Sequence, residues 1–144
     1  MQAGKNCIDL IKKFEGLKLE SYKCPAGLWT IGYGNTQWEN GFRVLENQVI
    51  DIKRAEKLLT FWVSKYADRI TVKCNQNQFD ALVSFAYNVG ITNFDSSTLK
   101  KKVIANPNDP TIRDEFMKWV SSRGKQLAGL VKRREAEANL YFTI

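Results

Sequence analysis

The chain has 144 residues, 22 lysines and arginines against 15 aspartates and glutamates, and no histidine. That length suits one unit over 1–144, burying about 70% of its unfolded surface, and the missing histidine excludes His-based triads, His-ligated metals and a histidine general base. Cys7, Cys24 and Cys74 form no CxxC pair, so zinc-ribbon and thioredoxin-type readings fall away and three reduced thiols are expected.

Helical periodicity begins at once. Cys7, Ile8, Leu10, Ile11 and Phe14 recur at helical spacing, Lys12 and Lys13 lie off that face, and Gly16 supplies a stop. A first helix is predicted over about residues 4–15, with Glu15 in its last turn, where the partial negative charge of the helix end disfavours a carboxylate. Residues 17–40 carry strand and turn signals. Leu17, Leu19, Ser21 and Tyr22 suit a short strand, and Pro25-Ala26-Gly27 a turn. Trp29-Thr30-Ile31-Gly32-Tyr33 alternates like a strand whose glycines imply bends or close backbone approach. Asn40-Gly41 is a further turn, and Phe42–Val49 is expected to extend the small antiparallel sheet.

From Asp51, a good N-cap, a long helix is predicted over about 52–68, with Ala55, Leu58, Leu59, Trp62, Val63 and Tyr66 on its apolar stripe. It would join the small lobe to a helical lobe. Asn75 caps the next helix, which carries Phe79, Leu82, Val83, Phe85 and Ala86 inward and ends at Gly90. A short helix is expected from Ser96 or Ser97 to about Ala105. Asp109-Pro110 is expected to open another, with proline at the first helical position and Ile112, Phe116, Met117, Trp119 and Val120 along it. The last helix should begin near Leu127 and end at Leu140-Tyr141-Phe142. The fold class read from this order is α+β: a helical lobe from residues 1–16 and 51–144 and a small antiparallel β lobe over about 17–50.

The basic balance draws polyanions: nucleic acid, acidic lipid or acidic cell-wall polymer. No nucleic-acid-binding motif accompanies it. No apolar run reaches membrane-spanning length, so stable membrane insertion is not expected. The start MQAGKNCIDLIKKFE lacks the charged start and apolar core of a signal peptide, so synthesis in a cytoplasm is expected. Lys132-Arg133-Arg134, Lys125 and Lys100-Lys101-Lys102 read as solvated helix faces, and Asp80, Asp95 and Glu115 as caps and surface pairs.

Without histidine, acid–base chemistry near neutral pH falls to Asp, Glu, Lys, Tyr or Cys. Glu15, beside Phe14 and ahead of a Gly-studded aromatic segment, has the surroundings of a glycosidase acid, which must keep a proton for the leaving oxygen. Taken alone it reads more plainly as a surface glutamate. Eight residues separate Glu15 from Cys24 and five separate Cys24 from Thr30, so a helix end, a loop and a hairpin could bring the three side chains to one cleft. Thr30 can orient a water but is a poor base; a Cys24 thiolate could act as a base, whereas a neutral thiol could only pack or bond weakly. Gly32-Tyr33-Gly34 could let a sugar approach the backbone closely.

The spacing Glu15, Cys24, Thr30 resembles the catalytic pattern of the phage-type lysozymes, the endolysin muramidases of bacteriophages, in which Glu is followed by Asp or Cys and then Thr at these intervals. The words around it are similar too: Phe14-Glu15-Gly16, Trp29-Thr30-Ile31-Gly32-Tyr33-Gly34, the block Gln76–Gly90, Ser97-Thr98-Leu99 and Gly129–Glu137, in order along nearly the whole chain. The resemblance implies a lysozyme-like α+β fold. It also implies hydrolysis of the β-1,4 bond between N-acetylmuramic acid and N-acetylglucosamine in peptidoglycan, without metal or other cofactor, by an endolysin that lyses its host. Glu15 is then the general acid, Thr30 places the attacking water, and Cys24 occupies a position that is Asp in many members. Gly34, Thr36 and Phe94 fall where members contact the glycan. Peptidoglycan strands are the implied partner and a monomer the default state. A membrane-permeabilising phage protein is the implied route from host cytoplasm to wall.

Two departures stand out. Cys24 removes the second carboxylate, which leaves the base unassigned and makes inversion an implication of the resemblance, not of a carboxylate separation. Asn35 stands where the family usually has His after Tyr-Gly, a change expected to bear on stability, and Gln37–Ile50 is longer than usual. The alternatives on the same fold are a lytic transglycosylase, which leaves an anhydro sugar, and a non-catalytic wall-binding module, which needs neither Glu15 nor Thr30.

Overall fold

In the computed structural model, which describes residues 1–144, the N-terminal apolar residues form α1 (Lys5–Glu15). The helix buries Cys7 and Ile11 and stops at Gly16, whose φ of +71° and backbone N–H bonded to Lys12 O turn the chain away. The chain then enters a hairpin. β1 (Lys18–Lys23) pairs antiparallel with β2 (Trp29–Gly32), Tyr22 opposite Thr30 and Lys23 opposite Trp29. The Cys24 N–H donates to Leu28 O at 2.9 Å and the Gly27 N–H to Cys24 O at 2.8 Å, which closes the connecting turn. Past β2 the chain doubles back, and Ile31 and Asn35 exchange both backbone hydrogen bonds, at 2.8 and 3.0 Å.

The segment 42–49 does not add a strand as expected; it meets β1 at a single bridge, Glu20 opposite Val49, beside a Gln48 N–H to Ser21 hydroxyl bond of 3.1 Å, and Arg43 bridges Gln37 outside the sheet. Its own turns hold it instead. The Gly41 N–H bonds Trp38 O at 2.9 Å, and Asn47, at φ +62°, breaks the extended run. Arg54 clamps Glu39 with two bonds of 2.7 Å, which ties the segment to α2 (Ile52–Asp68).

Asp51 caps α2 by accepting from the Arg54 N–H at 2.7 Å. One side of α2 places Leu58 with Ile31 and Val44 in a small core under the β lobe, and another places Leu59, Val63 and Ala67 in the main core. The helix therefore belongs to both lobes. α3 (Gln76–Val89) starts with a capping box between Asn75 and Gln78 and ends at Gly90, φ +95°. Its residues 78–86 are all buried, because α1, α2, α4 (Ile91–Ser96) and α7 (Ala128–Tyr141) surround it. Phe85 on α3 meets Phe94, Phe116 and Trp119 edge to face, with ring centres 5.6–6.3 Å apart.

α5 (Thr98–Ala105) opens at Ser97, whose hydroxyl oxygen accepts from the Lys100 N–H, but α4 precedes it as an additional short helix. The helix expected from Pro110 is a single turn, α6 (Ile112–Phe116). Asp109 Oδ1 accepts from both the N–H and the hydroxyl of Thr111, at 2.9 and 2.7 Å, and holds Pro110 in a turn outside the helix. After α6 the chain makes a hairpin that the sequence did not signal, β3 (Ser121–Ser122) against β4 (Lys125–Gln126). Its two-residue turn, Arg123-Gly124, has φ of +54° and +77°.

Asp80 and Glu115, expected at the surface, are buried. Asp80 on α3 accepts from the Gly4 N–H at 2.9 Å and so pins the start of α1. Glu115 lies under Lys102 and Lys118, at 2.8 and 3.0 Å. Asp95 is the surface pair anticipated, with Lys100 at 3.0 Å.

Candidate active site

The end of α1, the hairpin after β2 and the middle of α7 converge on Glu15. Its side chain is 20% exposed. Arg133 Nη1 donates to Glu15 Oε2 at 2.6 Å. The other oxygen faces Gly34, where an added Cβ would stand 2.5 Å from Oε1. Gly34 also has a φ of +80°, which side chains rarely adopt, so both the turn and the close approach require glycine. Gly34→Ala is expected to push the Glu15 carboxyl aside and lower kcat/KM about a hundredfold, the scale on which small misplacements of a reacting group act. A turnover assay beside a circular dichroism melt separates this loss from simple unfolding; an alanine variant with unchanged turnover removes Gly34 from the site.

Arg133 corrects the sequence reading, which placed it on a solvated face with Arg134. Both guanidinium groups are buried. Arg133 Nε donates to Glu137 Oε2 at 3.3 Å and Nη2 to Ser84 O at 3.2 Å, while the Ser84 hydroxyl donates to the same Glu137 oxygen at 2.7 Å. Arg134 Nη2 donates to Asn88 Oδ1 at 2.7 Å, and its Nε lies 2.9 Å from Glu137 Oε1. Burial holds the Arg134 guanidinium down to about 10, against the pull of Glu137. Burial pushes the Glu137 carboxyl upward, and the two arginines and Ser84 oppose it. The signal in the sequence was the spacing: Glu137 sits three and four residues after the pair, one helical turn away. Arg133 supplies Glu15 with a charge partner that local sequence could not reveal.

Thr30 and Cys24 lie on the β hairpin. Thr30 is 3% exposed, and its hydroxyl donates to Leu28 O at 3.0 Å. Its one proton can serve Leu28 O or the Cys24 sulfur, and its lone pairs are left to accept. The Cys24 thiol sits below its ordinary value. Burial raises it, but the Leu28 N–H, the Thr30 hydroxyl and neighbouring backbone N–H groups together outweigh that. Tyr22, opposite Thr30, was not singled out from the sequence. Burial raises its phenol first, and the charges of Glu15 and Cys24 add to this, so it stands within electrostatic reach of both. Cys7 is buried and Cys74 half-buried, and burial raises both thiols. A thiol alkylating agent at about pH 8 is therefore expected to label Cys24 at least about tenfold faster than Cys74, with Cys7 last. Peptide mass mapping over a time course reads the order, and Cys74 reacting first contradicts the assignment.

Beside Glu15 a cavity of about 110 Å³ is lined by Gly34, Thr36, Gln37, Trp62, Tyr66 and Tyr87. Gly34 and Thr36, the glycan contacts expected from the resemblance, both line this cavity. Phe94 does not: it is wholly buried, with its ring against Phe85, and offers no surface to a ligand. Its apolar period along the chain reflects core packing. Asn35 is buried beside the cavity, where its Nδ2 donates to the Tyr87 hydroxyl at 2.9 Å while that hydroxyl donates to Tyr33 O at 2.7 Å. It ties the hairpin to α3, which fits the structural role expected of this position.

A helical lobe, a small β lobe and a carboxylate seated between them define a lysozyme-like enzyme. The profile of the phage lysozyme family matches residues 12–137. The endolysin of Acyrthosiphon pisum secondary endosymbiont phage 1 is 39% identical over 98% of both chains. The endolysin of Bacillus phage B103 is 46% identical over 99% of this chain, which spans only 53% of that protein. Among solved structures, the endolysin from Escherichia coli O157:H7 phage FAHEc1 superimposes with a TM-score of 0.87, at 38% identity, covering 99% of this chain and 94% of the other. The chain belongs to the phage lysozyme family.

Proposed function

We propose that this lysozyme hydrolyses the β-1,4 bond between N-acetylmuramic acid and N-acetylglucosamine in peptidoglycan, with Glu15 as the general acid. The seat of Glu15 carries the reading: one oxygen is held by Arg133 and the other faces the bare backbone of Gly34 at the edge of an aromatic cavity. The unheld oxygen is the one that delivers a proton to the glycosidic oxygen as the bond to the anomeric carbon breaks. A water attacks that carbon from the opposite face and so inverts it. Thr30 accepts a hydrogen bond from this water, since its own proton is held by Leu28 O or the Cys24 sulfur. Cys24, as thiolate, takes the proton that the water loses, which gives its lowered thiol a purpose in the absence of a second carboxylate. Gly34 and Thr36 contact the glycan.

The relatives named above are called endolysins, and the same role is proposed here: a monomer that accumulates in the host cytoplasm, reaches the wall once a membrane-permeabilising partner opens the way, and lyses the cell. No helix of the chain is long and apolar enough to cross a membrane. The test is digestion of purified peptidoglycan with products identified by mass and anomeric configuration. Reducing muramic ends of inverted configuration are expected. Anhydro ends move the chain to the lytic transglycosylases, and intact wall on every substrate favours a binding module.

A further inference from the structure

The first hairpin sorts its side chains onto two faces. Trp29 and Ile31 of β2 turn into the small core under the β lobe, and Lys23, opposite Trp29, lays its ammonium 5.5 Å from that ring centre. Alternation sends the residues between them the other way. Tyr22 lies opposite Thr30, which puts their Cβ atoms about 5 Å apart on that second face. The register continues past β1, where the Cys24 N–H donates to Leu28 O at 2.9 Å, so Cys24, two residues after Tyr22, shares the face. Tyr22 thus stands with the two hairpin residues already placed in the site. Packing does not account for it: the side chain is half-buried and belongs to neither apolar core. Tyr87 and Tyr141 spend their hydroxyls on Tyr33 O and Pro107 O, at 2.7 and 2.6 Å, whereas no protein group bonds the hydroxyl of Tyr22.

We infer that Tyr22 is a third water-positioning residue, whose phenolic hydroxyl donates a hydrogen bond to the oxygen of the attacking water. The inference rests on the proposed hydrolysis with Cys24 as base. A water poised to attack has four directions to fill. One hydrogen goes to the Cys24 thiolate and the other to Thr30. One lone pair points at the anomeric carbon, and the second calls for a donor. Neither neighbour supplies it: a thiolate carries no proton, and the Thr30 proton is held by Leu28 O or the Cys24 sulfur. The Tyr22 hydroxyl is the free donor on the same face. It also keeps its proton, because burial raises the phenol and the charges of Glu15 and Cys24 raise it further. A water held by two acceptors alone can pivot about the line between them. A third bond stops the pivot and aims the remaining lone pair.

The test is Tyr22→Phe, which removes one oxygen and keeps the ring. On purified peptidoglycan kcat is expected to fall about tenfold, the scale of one hydrogen bond, with KM unchanged. Azide supplies a readout that a merely structural role would not move. This small anion needs neither a base nor a donor: its nitrogen bonds the anomeric carbon as the bond to the glycosidic oxygen breaks and Glu15 protonates that oxygen. The muramyl azide formed is counted by mass against reducing ends. At a fixed azide concentration its share should rise severalfold in the phenylalanine variant, because only water has lost a hold. Unchanged turnover overturns the inference, as does a fall in kcat with the azide share unaltered. A raised KM with kcat intact makes Tyr22 a sugar contact and overturns it too. Crystal structures of both proteins test the same point without cleavage. An ordered water bonded by Tyr22 Oη, Thr30 Oγ1 and Cys24 Sγ is expected in the wild type and lost in the variant; the same water in both, or in neither, sinks the assignment. A wild type that cuts no wall yet holds this water through Tyr22 removes the hydrolase reading and keeps the water site.

Discussion

Glu15→Gln is expected to lower kcat on peptidoglycan by about 10³- to 10⁴-fold, the upper part of the range for removing a general acid, with KM nearly unchanged. The amide keeps the size of the side chain and an oxygen to accept the Arg133 bond, now 2.6 Å long, so the site should stay assembled. What it cannot do is deliver a proton to the leaving oxygen. Arg133 loses one countercharge but keeps Glu137 and the Ser84 carbonyl. Its position therefore survives, and the thermal midpoint should move by only a few degrees, as for a partly exposed charge replaced by a neutral isostere. Turnover of labelled peptidoglycan, read beside a melting curve, checks both halves. A glutamine variant with a tenth or more of wild-type turnover would remove Glu15 from the role of acid.

The Glu15 site was legible in sequence to the extent that it depends on local order. Gly16 ends α1 just after Glu15, and the Gly32-Tyr33-Gly34 turn lies close enough in sequence to return to it. Capping by Asp51 and Asn75 was legible for the same reason: each acts on its own helix. The residues that hold Glu15 from across the fold were not legible. Arg133 is 118 positions away, and a Lys-Arg-Arg run looks solvated until Ser84 and Glu137 are known to flank it. Phe94 failed in the opposite direction. Similarity placed it at the glycan, but only packing against Phe85 decides whether an aromatic ring meets a ligand or the core. The hairpin Ser121–Gln126 left no pattern because each strand has two residues, too few for an alternation to register.

The largest stability effect is expected at Glu137, which is fully buried and lies between two buried guanidinium groups. A buried ion pair is a weak source of net stability, since desolvation offsets most of the attraction, but removing one member strands the other. Glu137→Ala strands Arg134 and takes one of the two carboxylates from Arg133. Arg134, whose Nη1 already has no partner, would keep only Asn88 and the Phe85 ring face, 5.0 Å from its guanidinium carbon. Arg133 would keep Glu15 and the Ser84 carbonyl. The Ser84 hydroxyl would lose its acceptor inside the core. The expected cost is about 3–5 kcal/mol, or a fall of about 10–15 °C in the thermal midpoint. Function should suffer in a specific order. Arg133, freed from Glu137, is left with Glu15 as its main carboxylate partner and should draw that acid away from Gly34, so kcat falls even at temperatures where the variant is folded. Replacing the three buried charged residues of α7 together, Arg133→Met/Arg134→Leu/Glu137→Leu, separates the two effects. It should recover much of the stability, because no charge is left buried alone, while turnover stays low because Glu15 has lost the group that aims it. Chemical denaturation and turnover on both variants decide the matter. A triple variant that recovers both stability and turnover would mean that the network serves the core alone.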